Sequence, residues 1–160
     1  MLLGVLVSAL VLSSAASAGV SKYCTLLSAG DIGRPLGTSN VRVRSVSVAY
    51  PSLTKARGRI TLCSHRTTSD TIAESSVAKF TKASGAKNEF AAIVHREQRT
   101  LKVRKTSGPW SDAYYLGKDG FVVLKGKFMF HIQYASGAPW YSKVTASFLG
   151  GLAGKAARKL

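Results

Sequence analysis

The side chains able to do acid–base, metal or nucleophilic chemistry are few and poorly spaced for it. His65, His95 and His131 lie far apart in the chain, with no His-Glu-x-x-His motif and no pair at metal-ligand spacing. The local patterns predict strands around His65 and His131 and a helix around His95. His131 shares the polar face of its strand with Gln133, so solvent or a hydrogen bond from the helix side is its expected partner. Glycosidase chemistry needs two placed carboxyl groups. The chain has 7 Asp plus Glu, and the nearest candidates, Asp112 and Asp119, sit at turn positions where Asp is favoured for backbone reasons. No Gly-x-Ser-x-Gly elbow and no Gly-x4-Gly-Lys-Ser/Thr phosphate loop occurs. The residues therefore assign no catalytic group, no metal and no cofactor. An enzyme acting on an envelope polymer, with Asp112 or His131 in its site, is the second reading. It would require an acid of perturbed pKa beside a His in a pocket. A lipid carrier, the third reading, would require an apolar cavity between sheet and helices.

Cys24 and Cys63 are the two cysteines. Two isolated thiols make a poor metal site, and no Cys-x-x-Cys is present. In an exported protein an even pair suggests a disulfide. It would close a loop of about 40 residues, worth roughly 4 kcal/mol on a chain-entropy argument. Lipid attachment at Cys24 is the rival, opposed by Ser21-Lys22-Tyr23 where a lipobox wants small residues. Export itself is read from the start of the chain. Leu2 to Leu12 is an apolar run too short to span a bilayer with ease, and Ala16-Ser17-Ala18 fits the small-x-small cleavage pattern. No Lys or Arg precedes that run, which leaves room for a true start upstream of Met1. A buried N-terminal helix is the alternative. The expected organisation is a signal peptide over 1–18 and one extracytoplasmic domain over 19–160, in line with a total of 160 residues.

The charge is lopsided, with 23 Lys plus Arg against 7 Asp plus Glu and a net charge of +16. Such a surface attracts nucleic acid, anionic lipid or acidic wall polymer, or simply keeps the protein soluble. The bases singled out form three clusters: Arg42 and Arg44; Lys55, Arg57 and Arg59; and Arg96, Arg99, Lys102, Arg104 and Lys105. If their strands are neighbours, they make one basic sheet face able to hold a polyanion by counterion release. Specific nucleic-acid recognition would add stacking aromatics. Trp110, Tyr114 and Tyr115 lie close in sequence, but the apolar rest of their segments points to core, so such recognition is not expected.

The elements that must position these residues follow from periodicity. Tyr114 to Tyr134 holds three apolar runs separated by Lys118-Asp119-Gly120 and Lys125-Gly126-Lys127, which predicts a hairpin meander. In its last run Phe128, Phe130, Ile132 and Tyr134 share one face, with Met129, His131 and Gln133 on the other. Upstream, Leu26–Gly37 reads as a short helix with a Ser28–Asp31 capping box, a Leu27–Ile32 staple, Pro35 to end it and Gly37 as a left-handed cap. Val41–Tyr50 reads as a strand with a bulge near Ser45, where the apolar phase changes. Arg59–Arg66 is a second strand. Thr71–Lys82 has a capping-box pattern yet is dense in Ser, Thr and Val, and reads as a third strand. Ala86–Arg99 is a helix with a stripe at Phe90, Ile93, Val94 and Glu97, and Thr100–Lys105 a basic-faced strand. A last helix starts at Pro139, its stripe running through Trp140, Val144, Phe148, Leu152, Ala156 and Leu160, and Lys155, Arg158 and Lys159 suit its negative end. The order helix, three strands, helix, four strands, helix predicts a single α+β domain: an antiparallel sheet with helices packed on one face and one disulfide.

With Tyr23-Cys24-Thr25-Leu26-Leu27-Ser28-Ala29-Gly30-Asp31-Ile32, Leu36-Gly37, the later Cys63, Ser111-Asp112-Ala113-Tyr114 and a terminal amphipathic helix in that order, the chain resembles a family of small actinobacterial envelope proteins. Its members are exported or lipid-anchored, carry a Cys-x-Leu-Leu-Ser/Thr opening, a later Cys and a Gly-x-Gly-Asp-x-Ala-Tyr segment, and have no assigned function. Here Gly108-Pro109-Trp110-Ser111-Asp112 replaces the usual Gly-x-Gly-Asp. The resemblance implies an extracytoplasmic domain with a Cys24–Cys63 bridge, and it implies no catalytic residues. The expected function is a secreted, non-enzymatic, envelope-associated binding domain whose partner is an acidic envelope polymer or an anionic lipid surface.

Overall fold

The structure, a computed structural model, describes residues 19–68 and 70–160. The expected leader, residues 1–18, and Ser69 lie outside the described residues. Seven strands form one antiparallel sheet: β1 (Arg42–Ala49), β2 (Gly58–Arg66), β3 (Thr71–Phe80), β4 (Arg104–Lys105), β5 (Asp112–Tyr115), β6 (Phe121–Lys125) and β7 (Phe128–Tyr134). Their spatial order is β1-β2-β3-β7-β6-β5-β4. Each half is a meander, and the halves join where β3 pairs with β7, Ala73 opposite Tyr134 and Lys79 opposite Phe128. Helices α1 (Ala29–Gly33), α2 (Ala83–Glu97) and α3 (Ala146–Lys159) complete an α+β domain in the order the patterns predict. The segment after Asp70 is a strand, β3, and a disulfide joins Cys24 to Cys63.

Helices cover both faces of the sheet rather than one. Phe130, Ile132 and Tyr134 of β7 pack with Leu149, Leu152 and Ala153 of α3 and with Ile32 of α1. Met129 points the other way, into a second cluster with Phe90, Ile93 and Val94 of α2. β6 does the same with consecutive residues, since Phe121 and Val123 join the first cluster and Val122 and Leu124 the second. An uninterrupted apolar run is what a strand buried on both faces requires.

Two-faced burial also removes the predicted bulge. β1 pairs with β2 in one unbroken register, from Arg42 opposite Arg66 to Ala49 opposite Arg59. Val41 packs against the α3-side cluster and Tyr50 against the α2-side cluster, so the apolar phase changes because the strand's two ends serve different faces. The register irregularity lies instead between His65 and Arg66, against β3.

The first predicted helix is broken into a 3-10 turn over Lys22–Thr25, the single turn α1, and a second 3-10 turn over Arg34–Leu36. Its signals are nonetheless read correctly. Ser28 and Asp31 form the capping box, Leu27 and Ile32 are buried in one cluster, and Gly37 takes φ 70. α2 runs from Ala83 to Glu97 rather than from Ala86 to Arg99. Only Arg104 and Lys105 of the predicted Thr100–Lys105 strand pair in the sheet, while Leu101 and Val103 pack against the α2 cluster as loop residues.

α3 begins at Ala146, and Pro139–Lys143 is a separate 3-10 turn. Its buried face is Leu149, Leu152, Ala153, Ala156 and Ala157. A stripe of pure i+4 steps cannot stay on one face, because each step overshoots a full turn by about 40° at 3.6 residues per turn. The basic residues near its end act as ties to the N-terminal segment. Lys155 pairs with Asp31, and Lys159 Nζ donates to the Leu26 carbonyl. Burial alone would raise the Asp31 carboxyl; the Lys155 ammonium and the Ser28 hydroxyl and amide hold it below the ordinary carboxylate value.

Candidate functional site

The topology separates the three basic clusters. Arg42 and Arg44 lie on edge strand β1, and Arg104 and Lys105 on β4 at the opposite edge, about 29 Å away across the six intervening strand gaps. They do not form the single basic face that neighbouring strands would have made. Arg42 and Arg44 are exposed, as their alternation predicts. Lys55 and Arg57 sit in the β1–β2 connection, and Arg59 donates to the Ser47 carbonyl across the β1–β2 pair. Arg96 is bound to Glu97 (2.9 Å), and Arg99 meets His95 Nε2 at 3.3 Å near the end of α2. Lys102 is exposed in the following loop.

The bases at the β4 edge are the ones that meet a concavity. A cleft of about 350 Å³ opens between β4, β5 and the first turn of α3. Its floor is Phe121, fully buried, with half-buried Trp110 and Tyr115 beside it. Arg104, Lys105, Ser107 and Ser147 form the rim. Each wall has a local cause. Gly108 has no side chain because a Cβ there would stand 2.3 Å from the Trp110 ring, so the glycine lets the indole fold back. Trp110 Nε1 then donates to the Thr106 carbonyl at 3.3 Å, and its ring centroid lies 5.7 Å from that of Phe121. Gly150 leaves the α3 wall bare; a Cβ there would touch the Phe121 ring at an ordinary 3.6 Å.

The two cations are held differently. The Arg104 guanidinium lies over the Tyr115 ring, 5.1 Å from its centroid, an arrangement that orients its planar fork without using its donors. Lys105 is partly neutralised, with Nζ 3.2 Å from Asp112 Oδ1 and 5.9 Å from the Tyr114 ring centroid. Trp110 and Tyr115, which their apolar neighbours mark as core, thus stand at the surface of the core and form the cleft. No local motif could have shown this, because α3 supplies the facing wall from 30 or more residues away in the chain.

The acid–base candidates lie elsewhere. Asp112 is tied to Lys105 and to the Ala113 amide, and Asp119 offers its backbone carbonyl to His131. His131 Nε2 donates to that carbonyl at 2.7 Å, and burial lowers its pKa despite that bond. Its partner is a turn carbonyl rather than solvent or the covering helix. Among the described residues no group of three or more His, Cys, Asp or Glu could hold a metal ion.

His65 forms a buried pair with Ser75, its Nε2 2.9 Å from Ser75 Oγ. It lines a crevice of about 210 Å³ beside Cys24, Val41 and Val43, whereas Ser75 is buried behind it and outside the crevice walls. A nucleophile must reach its substrate, so this geometry is structural rather than a Ser–His dyad. Burial pulls the His65 pKa down to about 4. Between pH 6.5 and about 4 the unfolded chain binds a proton that the folded chain resists, so stability falls as the pH drops through this window. The full shift is worth about 3 kcal/mol. His65→Gln, whose amide reaches the Nε2 position, should flatten that part of the profile in urea titrations at pH 7 and pH 4. An undiminished slope in the variant would assign it to other groups.

No family model matches the chain, and neither a curated protein nor a solved structure is matched.

Proposed function

We propose that the chain is a secreted, non-enzymatic domain of the cell envelope, in keeping with its resemblance to small exported actinobacterial proteins, and that its basic surface holds an acidic polymer. The observation that carries this reading is uncompensated charge. Seven acids cannot neutralise 23 bases, and the ion pairs seen among the described residues include those of Arg34, Arg96, Lys105 and Lys155. The Cys24–Cys63 disulfide fits an extracytoplasmic protein, and no helix among the described residues is long and apolar enough to cross a membrane.

The cleft walls contain no carboxylate and no histidine, which favours binding over hydrolysis. A polymer is a better partner than a bilayer surface for the described residues, because α2 and α3 both turn their apolar faces onto the sheet and, among those residues, leave no amphipathic helix to lie in a headgroup layer. The test is binding of the oxidised protein to purified acidic wall polymer and to phosphatidylglycerol vesicles over a salt series. Saturable polymer binding should weaken steeply with salt, as counterion release demands. Charge reversal at Arg104 and Lys105 should weaken it more than reversal at Arg42 and Arg44. Absence of binding even at low ionic strength would reduce the net charge to a solubility feature.

A further inference from the structure

We infer that the cleft between β4 and α3 is the specific recognition site of this domain and takes one anionic sugar unit, a uronic acid or sugar phosphate, from such a polymer. The inference rests on the polymer-binding reading and narrows it to one place and one ligand chemistry. At about 350 Å³ the cleft is at the small end of ligand sites, which run from about 300 to 1,000 Å³. It has room for a ring-sized unit. The half-buried Trp110, backed by the buried Phe121 ring, offers aromatic surface to the C–H face of a sugar ring. Ser107, from the β4–β5 connection, and Ser147, from α3, line the cleft and add hydroxyls for the ring's polar edge.

The charge preference comes from Arg104. Its contact with the Tyr115 ring face uses none of the guanidinium donors, and a planar fork matches carboxylate and phosphate oxygens two at a time. Lys105 adds a second cation but is shared with Asp112, so Arg104 is the principal anchor. The first turn of α3 adds to the field. Thr145 caps it by accepting from the Phe148 amide at 3.1 Å, while the Ala146 and Ser147 amides, in the first turn, have no acceptor within the helix and carry the positive end of its dipole. The smaller crevice beside the disulfide offers nothing comparable, being lined by apolar side chains, small hydroxyls and neutral His65.

Calorimetric titration of the oxidised chain with trigalacturonate, a neutral trisaccharide and glucose 6-phosphate tests this, with phosphatidylglycerol vesicles as a fourth ligand. Trigalacturonate or the sugar phosphate should bind and the neutral sugar should not, and which anion binds tighter identifies the unit. Arg104→Gln should weaken binding by about ten- to a hundredfold, the range for one charged hydrogen-bonded contact. Gly150→Leu should do the same by filling the cleft, and Gly150→Ala, which helix propensity favours and the 3.6 Å spacing accommodates, should weaken it with the fold intact. Arg42→Gln with Arg44→Gln, at the far edge, should leave sugar binding within about twofold, as distant independent sites do. If acidic polymer binds but trigalacturonate and the sugar phosphate do not, or the cleft variants bind as the unaltered chain does, the cleft assignment falls and the polyanion surface survives. Binding to vesicles alone overturns the sugar in favour of lipid. Binding neither to the acidic polymer nor to any of these ligands removes both readings.

Discussion

Reducing the Cys24–Cys63 bridge should destabilise the domain by about 4 kcal/mol, the loop-closure entropy that a cross-link over 39 residues withholds from the unfolded chain. Native domains have only about 5–15 kcal/mol in hand, so this is a large share. At roughly 3 °C per kcal/mol for a domain of this size, the melting temperature should drop by about 12 °C. The bridge fastens the Lys22–Thr25 turn to β2, and both sulfurs are buried. Other ties hold the same segment to α3 and β7: Asp31 to Lys155, the Leu26 carbonyl to Lys159, and the Ile32 carbonyl to the Tyr134 hydroxyl at 2.8 Å. The sheet and α2 should therefore stay folded after reduction, with the N-terminal segment loosened first. Melts of the oxidised chain, the reduced chain and Cys24→Ala with Cys63→Ala would show it. A loss below about 1 kcal/mol would mean that these other contacts, not the cross-link, close the loop. The bridge fits a compartment where thiols stay oxidised.

The element order was legible because it rests on local signals that survive tertiary context. The Ser28–Asp31 capping box, the Gly126 turn and the alternation in Phe128–Tyr134 all form as their residues dictate. The layering was not read, although its sign was present. Phe121–Leu124 is apolar at four consecutive positions and all four are buried, the pattern of a strand covered on both sides, yet the neighbouring alternation suggests one wet face. Burial on both faces likewise accounts for the phase change in β1, whose register with β2 is unbroken. The site was legible only in its parts. Arg104 and Lys105 stand out as basic residues on a strand, but that β4 is the far edge from β1 follows from the β3–β7 pairing, a contact between residues about 60 positions apart. The aromatic cleft depends on α3 crossing back to that edge, and no spacing within either segment encodes it.

The larger effect on the other side of the molecule should come from Glu89. It is completely buried on α2, and its carboxylate accepts four hydrogen bonds from the β1–β2 connection. These come from the Ser52 hydroxyl (2.7 Å), the Leu53 amide (2.8 Å), and the Thr54 amide (3.0 Å) and hydroxyl (2.7 Å). Burial alone would raise its pKa; the Leu53 amide, the Ser52 hydroxyl and both Thr54 donors hold it below the ordinary carboxylate value. The same burial, with the Glu89 charge close by, pushes the Tyr50 hydroxyl up. These bonds close the loop around Lys55, which takes φ 61 without being glycine, a conformation that persists only where its surroundings enforce it. Glu89→Ala removes the acceptor and strands four donors, and should cost about 3–5 kcal/mol. Glu89→Gln keeps the shape but turns an N–H toward one of the donors, and should cost about 2–3 kcal/mol. Because the folded pKa is depressed, the Glu89 contribution is present above the unfolded value and is lost as the pH falls through the folded one. The Gln variant should therefore show a shallower loss of stability below about pH 4.5. Denaturant titrations of both variants decide this, and an Ala variant within about 1 kcal/mol of the unaltered chain would show that the loop is held by packing instead. Glu89 and the aromatic cleft share no partners. Trigalacturonate affinity measured well below the melting temperature should therefore be the same in the Gln variant, which separates what holds this fold from what the fold presents.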